Sequence, residues 1–173
     1  MPNVGSLISS HNKKTLSKSS EEPNPTLRTC NCRDKNLCPL NGVCLTQALI
    51  YEAQVTPEEG NPGRYIGLCE PEFKGRYNDH KTSCTHQKYE TKTELAEYYW
   101  QHKKRGIEST IKFSILQKRF PYRIGAKKCD LCLTEKLFIM KEGDKVLNKR
   151  DELVSKCRHV NKFLMKNFKT RNR

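Results

Sequence analysis

The sequence predicts an α+β domain, a small three-stranded antiparallel sheet flanked by helices, with zinc-stabilised loops. Three observations predict it. Two apolar, alternating segments face each other across a turn rich in Gly, Pro and Asn. Later segments carry their apolar residues at helical spacing. The nine cysteines fall largely in two short-spaced groups.

Residues 1–28, rich in Ser, Asn, Lys and Pro, predict a disordered linker or the tail of an upstream element. Residues 29–46 form a Cys-rich loop too polar to hold together by burial. Residues 47–55 alternate as a strand, EEGNPGR (58–64) is a hairpin turn, and RYIGLC (64–69) is the return strand. Glu70 to Cys84 is a predicted helix, with Pro71 in its first turn and Phe73, Tyr77 and His80 at helical spacing. Thr91 with Glu94 resembles a capping box that opens a helix through Leu95, Tyr98, Tyr99 and His102. IKFSILQ (111–117) is a third strand. Asp130 to Lys141 is a further helix, with Leu133, Leu137 and Met140 on one side. Lys145–Leu147 predicts a short strand, 150–157 a helix, and 161–173 a basic tail. The order is β-β-α-α-β-α.

The chain has 173 residues, enough for one domain plus tails. Lys and Arg number 33 against 19 Asp and Glu, a net charge of +14. Such a field attracts polyanions, nucleic acid first among them. Lys112, Lys118, Arg119 and the run 162–173 are positions that can track a phosphate backbone without reading bases. No apolar run approaches the roughly 18 residues of a membrane span. The first residues have no apolar core of a secretory signal, so a reducing, intracellular setting, nuclear or cytoplasmic, is expected. In such a setting, clustered cysteines more often bind metal than form disulfides.

Cys129-x-x-Cys132 and Cys157-x-His159 are two ligand pairs separated by a helix. Together they make a four-ligand set of the kind structural Zn²⁺ prefers. Cys30, Cys32, Cys38 and Cys44 form a second set, in a loop for which metal binding would supply the folding energy. The two sets can also exchange ligands by this reading. Cys69 and Cys84 are read as packing residues. Thiol redox chemistry at the CxxC is disfavoured, because no thioredoxin-like βαβ pattern surrounds it.

Ile50-Tyr51, followed fourteen residues later by Tyr65-Ile66-Gly67, resembles the paired strands of the GIY-YIG endonucleases. Leu49 stands where that family has its first glycine. The downstream residues come in a similar order too: Arg76 and His80 on the next helix, Glu135 on a later one, and Asn148 after it. The resemblance covers roughly residues 46–150. It implies a nuclease domain over 47–160 that hydrolyses phosphodiester bonds in DNA by nicking. It further implies a site built from Tyr51, Tyr65, Arg76, His80, Glu135 and Asn148, with Mg²⁺ on Glu135. CNCRDKNLCPLNGVC, CDLCLTEK and LNKRDELVSKCRH are similar to the endonuclease domains attached to retroelement reverse transcriptases, Penelope-like elements among them. PNVGSLISSHNKK resembles the connector after such a polymerase. DNA, an upstream reverse transcriptase domain and the element's RNA are the partners this implies.

The chemistry of the residue types agrees with that expectation. A carboxylate such as Glu135 suits a mostly water-coordinated Mg²⁺. Arg76 can contact a phosphate through two nitrogens and is always charged. Tyr51 or Tyr65 can orient the attacking water, but a phenol of pKa about 10 is a poor base unless a cation lowers it. His80, one turn from Arg76, is a second candidate base facing the same cleft. Charge and cysteines serve equally well an inactive, zinc-stabilised nucleic-acid-binding module. The difference is the acid, for which a pure binder has no use.

Overall fold

The computed structural model describes residues 29–124, 126, 128–149 and 157–159. The expected linker (1–28), most of the expected helix (150–156) and the basic tail (161–173) lie outside them. Strands β1 (Leu49–Pro57), β2 (Gly63–Cys69) and β3 (Ser109–Lys118) form one antiparallel sheet in the order β2-β1-β3. Helices α1 (Phe73–Thr85) and α2 (Glu94–Lys103) lie between β2 and β3 in the chain, and α3 (Asp130–Glu142) comes after β3. The fold is α+β with a three-stranded antiparallel sheet flanked by helices, as the alternation and helical spacing predict.

Period-two alternation along β1 divides the apolar residues between two cores. Leu49, Tyr51, Ala53 and Val55 join Tyr65, Phe73 and Leu95 in the first, under α1 and α2. Ile50, Ile66 and Leu68 join Leu131 and Ile139 in the second, under α3. Trp100 ties α2 to α1, its Nε1 donating to Ser83 O at 2.9 Å.

Three local expectations are corrected, and the apolar side expected on the last helix proves to face outward. Helix α1 begins at Phe73, not Glu70, because Glu70 O still accepts from Ala48 N and so extends the sheet edge past Cys69. Helix α2 is capped by Thr93, whose Oγ1 accepts from Ala96 N at 3.2 Å; Thr91 caps nothing and no reciprocal capping box forms. Lys145–Leu147 is not a strand: Gly143–Lys145 is a 3₁₀ turn, and only Leu147 N donates to β2, at Arg64 O (2.7 Å). On α3 the inward face is Leu131, Thr134, Glu135 and Ile139, while Leu133, Leu137 and Met140 are 52%, 58% and 40% exposed. A carboxylate on the buried face breaks the apolar period there, and the outward stripe shows the cleaner pattern.

The Cys-rich loop is part of the first core. Leu40 is buried in it, with Val43 packed against it. The first backbone donors of α1 find no side-chain cap at Glu72. Instead Phe73 N donates to Thr46 O (3.0 Å) and Lys74 N to Cys44 O (2.9 Å). The loop thus fixes the start of the helix that carries Arg76 and His80.

Candidate functional site

Strand β2 is an edge strand, and its outward polar groups need partners. Asn148 supplies two: Ile66 N donates to its Oδ1 (2.9 Å) and its Nδ2 donates to Ile66 O (2.8 Å). Glu135 Oε1 accepts from Leu68 N at 3.1 Å. With Leu147 N on Arg64 O, side chains and one amide complete the edge in place of a fourth strand. Asn148 therefore acts first as a fixture that holds β2.

Tyr51 projects from β1 across Gly67, its cross-strand partner. The ring is fully buried, 5.1 Å from Phe73 and 6.3 Å from Phe113, centroid to centroid. Arg76 Nε donates to Tyr51 Oη at 3.1 Å, and Oη lies 2.7 Å from His80 Nε2. Burial, then the charges of Arg76 and Lys92, push His80 down to about 3, so the imidazole is neutral near pH 7. A neutral ring lets the phenol donate to Nε2 while accepting from Arg76, which satisfies the buried hydroxyl on both sides. Burial pushes both the Tyr51 and Tyr65 phenols above their ordinary value. Neither is a base near pH 7 in this setting.

Two cavities flank Arg76. The larger, about 750 Å³, is lined by Gln47, Glu70, Glu72, Asp79, Arg76 and Arg158, among others. The smaller, about 340 Å³, is lined by Tyr65, Arg76, Thr93, Glu94, Asn148 and Arg158, among others. Arg76 and Arg158 are common to both, so they form a two-cation wall. Glu135 lies behind it: Arg158 Nη2 is 3.1 Å from Glu135 Oε2, and the Glu135 side chain is only 7% exposed. Tyr65, Arg76 and Asn148 thus share one cleft, with Glu135 joined to it through Arg158.

His80 is placed differently from expectation. Although one turn from Arg76, it lines neither of these cavities but a third, with Tyr77, Tyr99, Lys103 and Phe113. Tyr51 lies between it and Arg76, so His80 meets that cleft only through the phenol. Lys112 and Lys118 lie on β3, at the opposite sheet edge from β2, and no β3 residue lines the Arg76 cavities. Arg119 is engaged with Asp130 at 3.7 Å.

Both cysteine groups close into clusters that can hold zinc, each within itself and without ligand exchange. Cys129 Sγ and Cys132 Sγ lie 3.2 and 3.3 Å from His159 Nδ1, and Cys157 Sγ lies 3.7 Å from Cys132 Sγ. In the loop, Cys30–Cys38, Cys32–Cys44 and Cys30–Cys44 are each 3.6 Å, Sγ to Sγ. A tetrahedron with Zn–S near 2.3 Å has edges of about 3.5–3.8 Å, so the donors already sit at coordination spacing. In each cluster one sulfur accepts from the amide two residues on: Cys30 Sγ from Cys32 N (3.3 Å) and Cys157 Sγ from His159 N (3.4 Å). Burial pushes the Cys44 and Cys132 thiols up to about 12. A bound cation reverses that cost, since a coordinated thiol gives up its proton. Burial raises Cys38 as well, but hydrogen bonds from the Leu40 and Gly42 backbone outweigh it and bring the thiol down to about 6. Cys69 and Cys84 are buried outside both clusters.

Sequence reasoning missed two residues here. Glu70 Oε2 is 3.3 Å from His159 Nε2, the carboxylate–histidine arrangement that orients a metal-ligating imidazole. Its Oε1 accepts from Tyr122 N, and the Tyr122 ring stacks on His159 with centroids 5.7 Å apart. The other is Arg158, whose place between Cys157 and His159 was the available signal. No helix among the described residues is long and apolar enough to cross a membrane. No protein-family model, curated protein or solved structure matches the chain.

Proposed function

We propose that the protein is a metal-dependent endonuclease of the GIY-YIG type that nicks DNA, derived from a retroelement. The observation that carries this reading is the meeting of Tyr65, Arg76 and Arg158 at one cleft, with the buried carboxylate of Glu135 held behind the second arginine. The resemblance of Tyr51, Tyr65-Ile66-Gly67, Arg76, Glu135 and Asn148 to the family's ordered motif supports it, as does the net charge of +14. DNA is the substrate this favours, and an upstream reverse transcriptase domain and element RNA are the further partners.

Hydrolysis adds water across a P–O bond and needs charge neutralised at the phosphate. Arg76 commits Nε to Tyr51 and keeps its terminal nitrogens for a phosphate, so the phenol aims the guanidinium. Tyr51 is too buried to meet the water itself, and its hydrogen bond to neutral His80 keeps it in place. Tyr65 lines the cleft and can hold the attacking water through its hydroxyl. Glu135 is a hard oxygen donor whose Oε2 already faces a cation, the Arg158 guanidinium, which fits a Mg²⁺ that keeps most of its waters. Such an ion, when bound, neutralises charge on the phosphate and stabilises the leaving oxygen. The two clusters supply structural Zn²⁺ sites that fix the start of α1 and the Cys157–His159 segment.

A second reading, an inactive zinc-stabilised nucleic-acid-binding module, is favoured by one observation. Both Glu135 oxygens are engaged, by Leu68 N and Arg158, so the acid also has a structural use. Nicking of supercoiled plasmid separates the two. The nuclease reading predicts Mg²⁺-dependent open circle from the wild type, and a loss of about 10²–10³-fold in Arg76→Ala. Arg76→Lys should recover little, because an ammonium cannot make the paired contact. Plasmid bound but not cut by folded, zinc-loaded protein would favour the binding module.

A further inference from the structure

Arg158 is held in an unusual way. Its two neighbours in the chain, Cys157 and His159, both belong to the second cysteine cluster, and its own amide donates to Cys132 Sγ. The backbone at 158 is therefore held between two members of one cluster. That side chain is 40% exposed and lines both cavities with Arg76, yet its guanidinium is turned onto a carboxylate that is 7% exposed. The other carboxylate oxygen, Oε1, accepts from Leu68 N of β2.

A buried carboxylate needs a cation beside it. Two cations held at the same oxygen repel each other, so a divalent ion that takes Oε2 favours release of the guanidinium. The released Arg158, which already lines both cavities with Arg76, has the cleft as its nearest destination. A phosphate there would meet two guanidinium groups in place of one.

We propose that Arg158 is the resident counter-cation of Glu135, exchanged for the divalent ion when that ion binds and passed on to a DNA phosphate in the cleft. The inference rests on the nuclease reading, since it takes Glu135 as the carboxylate that holds the ion. It makes Arg158 a competitor of the metal in free protein and a phosphate ligand in the complex.

The test is Mn²⁺ binding to zinc-loaded protein without DNA, read by the paramagnetic resonance of free Mn²⁺. Wild type, Arg158→Gln, Arg158→Lys and Glu135→Gln are compared at equal zinc content and equal helix signal. Removal of a partly exposed competing charge should tighten Mn²⁺ about three- to tenfold in Arg158→Gln. Arg158→Lys should stay near wild type, and Glu135→Gln should lose the site. Phosphate transfer is read as the salt dependence of DNA affinity in Ca²⁺. Arg158→Gln should lower that slope by about one contact, and only when the divalent ion is present. Equal Mn²⁺ affinity in wild type and Arg158→Gln, with Glu135 still required, would overturn the exchange and leave the nuclease reading standing. Mn²⁺ binding that is absent, or indifferent to Glu135→Gln, would overturn both.

Discussion

Gly67 lies directly against the phenol of Tyr51: a Cβ at position 67 would sit 2.5 Å from both Cζ and Oη of that ring. The glycine is needed for this approach, not for a turn, since the two residues are paired across β1 and β2. Gly67→Ala must push the ring from its place between Arg76 and His80. Overpacking of this kind costs about 1–3 kcal/mol. Urea unfolding should show that loss, with nicking reduced further as Arg76 loses its guide. Gly75 gives the contrast: it is helical in α1 and open around its Cβ, so Gly75→Ala should gain about 0.5–1 kcal/mol.

Asn148 replaces a strand along the edge of β2. Asn148→Ala leaves the N–H and C=O of Ile66 without their partner. Unsatisfied, part-buried groups of this kind cost about 1–3 kcal/mol. Amide hydrogen exchange should speed up at Ile66 and leave the β1–β3 ladder protected. Unchanged exchange at Ile66 would contradict the edge assignment.

The buried triad makes stability depend on pH. His80 is held down to about 3, first by burial and then by Arg76 and Lys92. The unfolded imidazole takes a proton near pH 6.5, and the folded one does so only far lower. This contribution to stability is whole above about pH 6.5 and is lost as pH falls toward 3, at up to about 1.4 kcal/mol per pH unit. Urea unfolding from pH 7 to pH 4 should show that slope. In His80→Gln it should be shallower by as much as one proton.

Glu70 sits behind the second cluster's histidine. Glu70→Gln should weaken zinc there about 10–100-fold, measured by competition with a chromophoric chelator. Stripping zinc from the loop cluster should have a different effect. The loop's carbonyls at Cys44 and Thr46 hold the first amides of α1, so exchange should rise at Phe73 and Lys74.

Much of this was legible in the sequence, and the gaps have causes. Alternation in 49–57 and 63–69, with a turn between, carries the β1–β2 hairpin because each side chain's face is set by the two-residue period. The cysteine spacings carry both clusters because short ligand pairs can converge on one centre. The inward face of α3 was hidden because Glu135 interrupts the apolar period that marks a buried stripe. The capping of α1 by Thr46 and Cys44 was hidden because backbone carbonyls leave no trace in residue identity. His80 shares a helical face with Arg76 by spacing, yet the intervening Tyr51 decides which cavity each one meets. Glu70 acts through a partner distant in the chain, which no local pattern announces, and only the place of Arg158 between two ligand residues marks it.

The most direct test of the central claim is the rate at which supercoiled plasmid becomes open circle in Mg²⁺, for wild type and Glu135→Ala at equal zinc loading. The account predicts nicking by the wild type and a rate lower by at least about 10²-fold in the variant, with plasmid binding retained by both. A variant that nicks as fast as the wild type, or a folded wild type that binds the plasmid and leaves it intact, would contradict it.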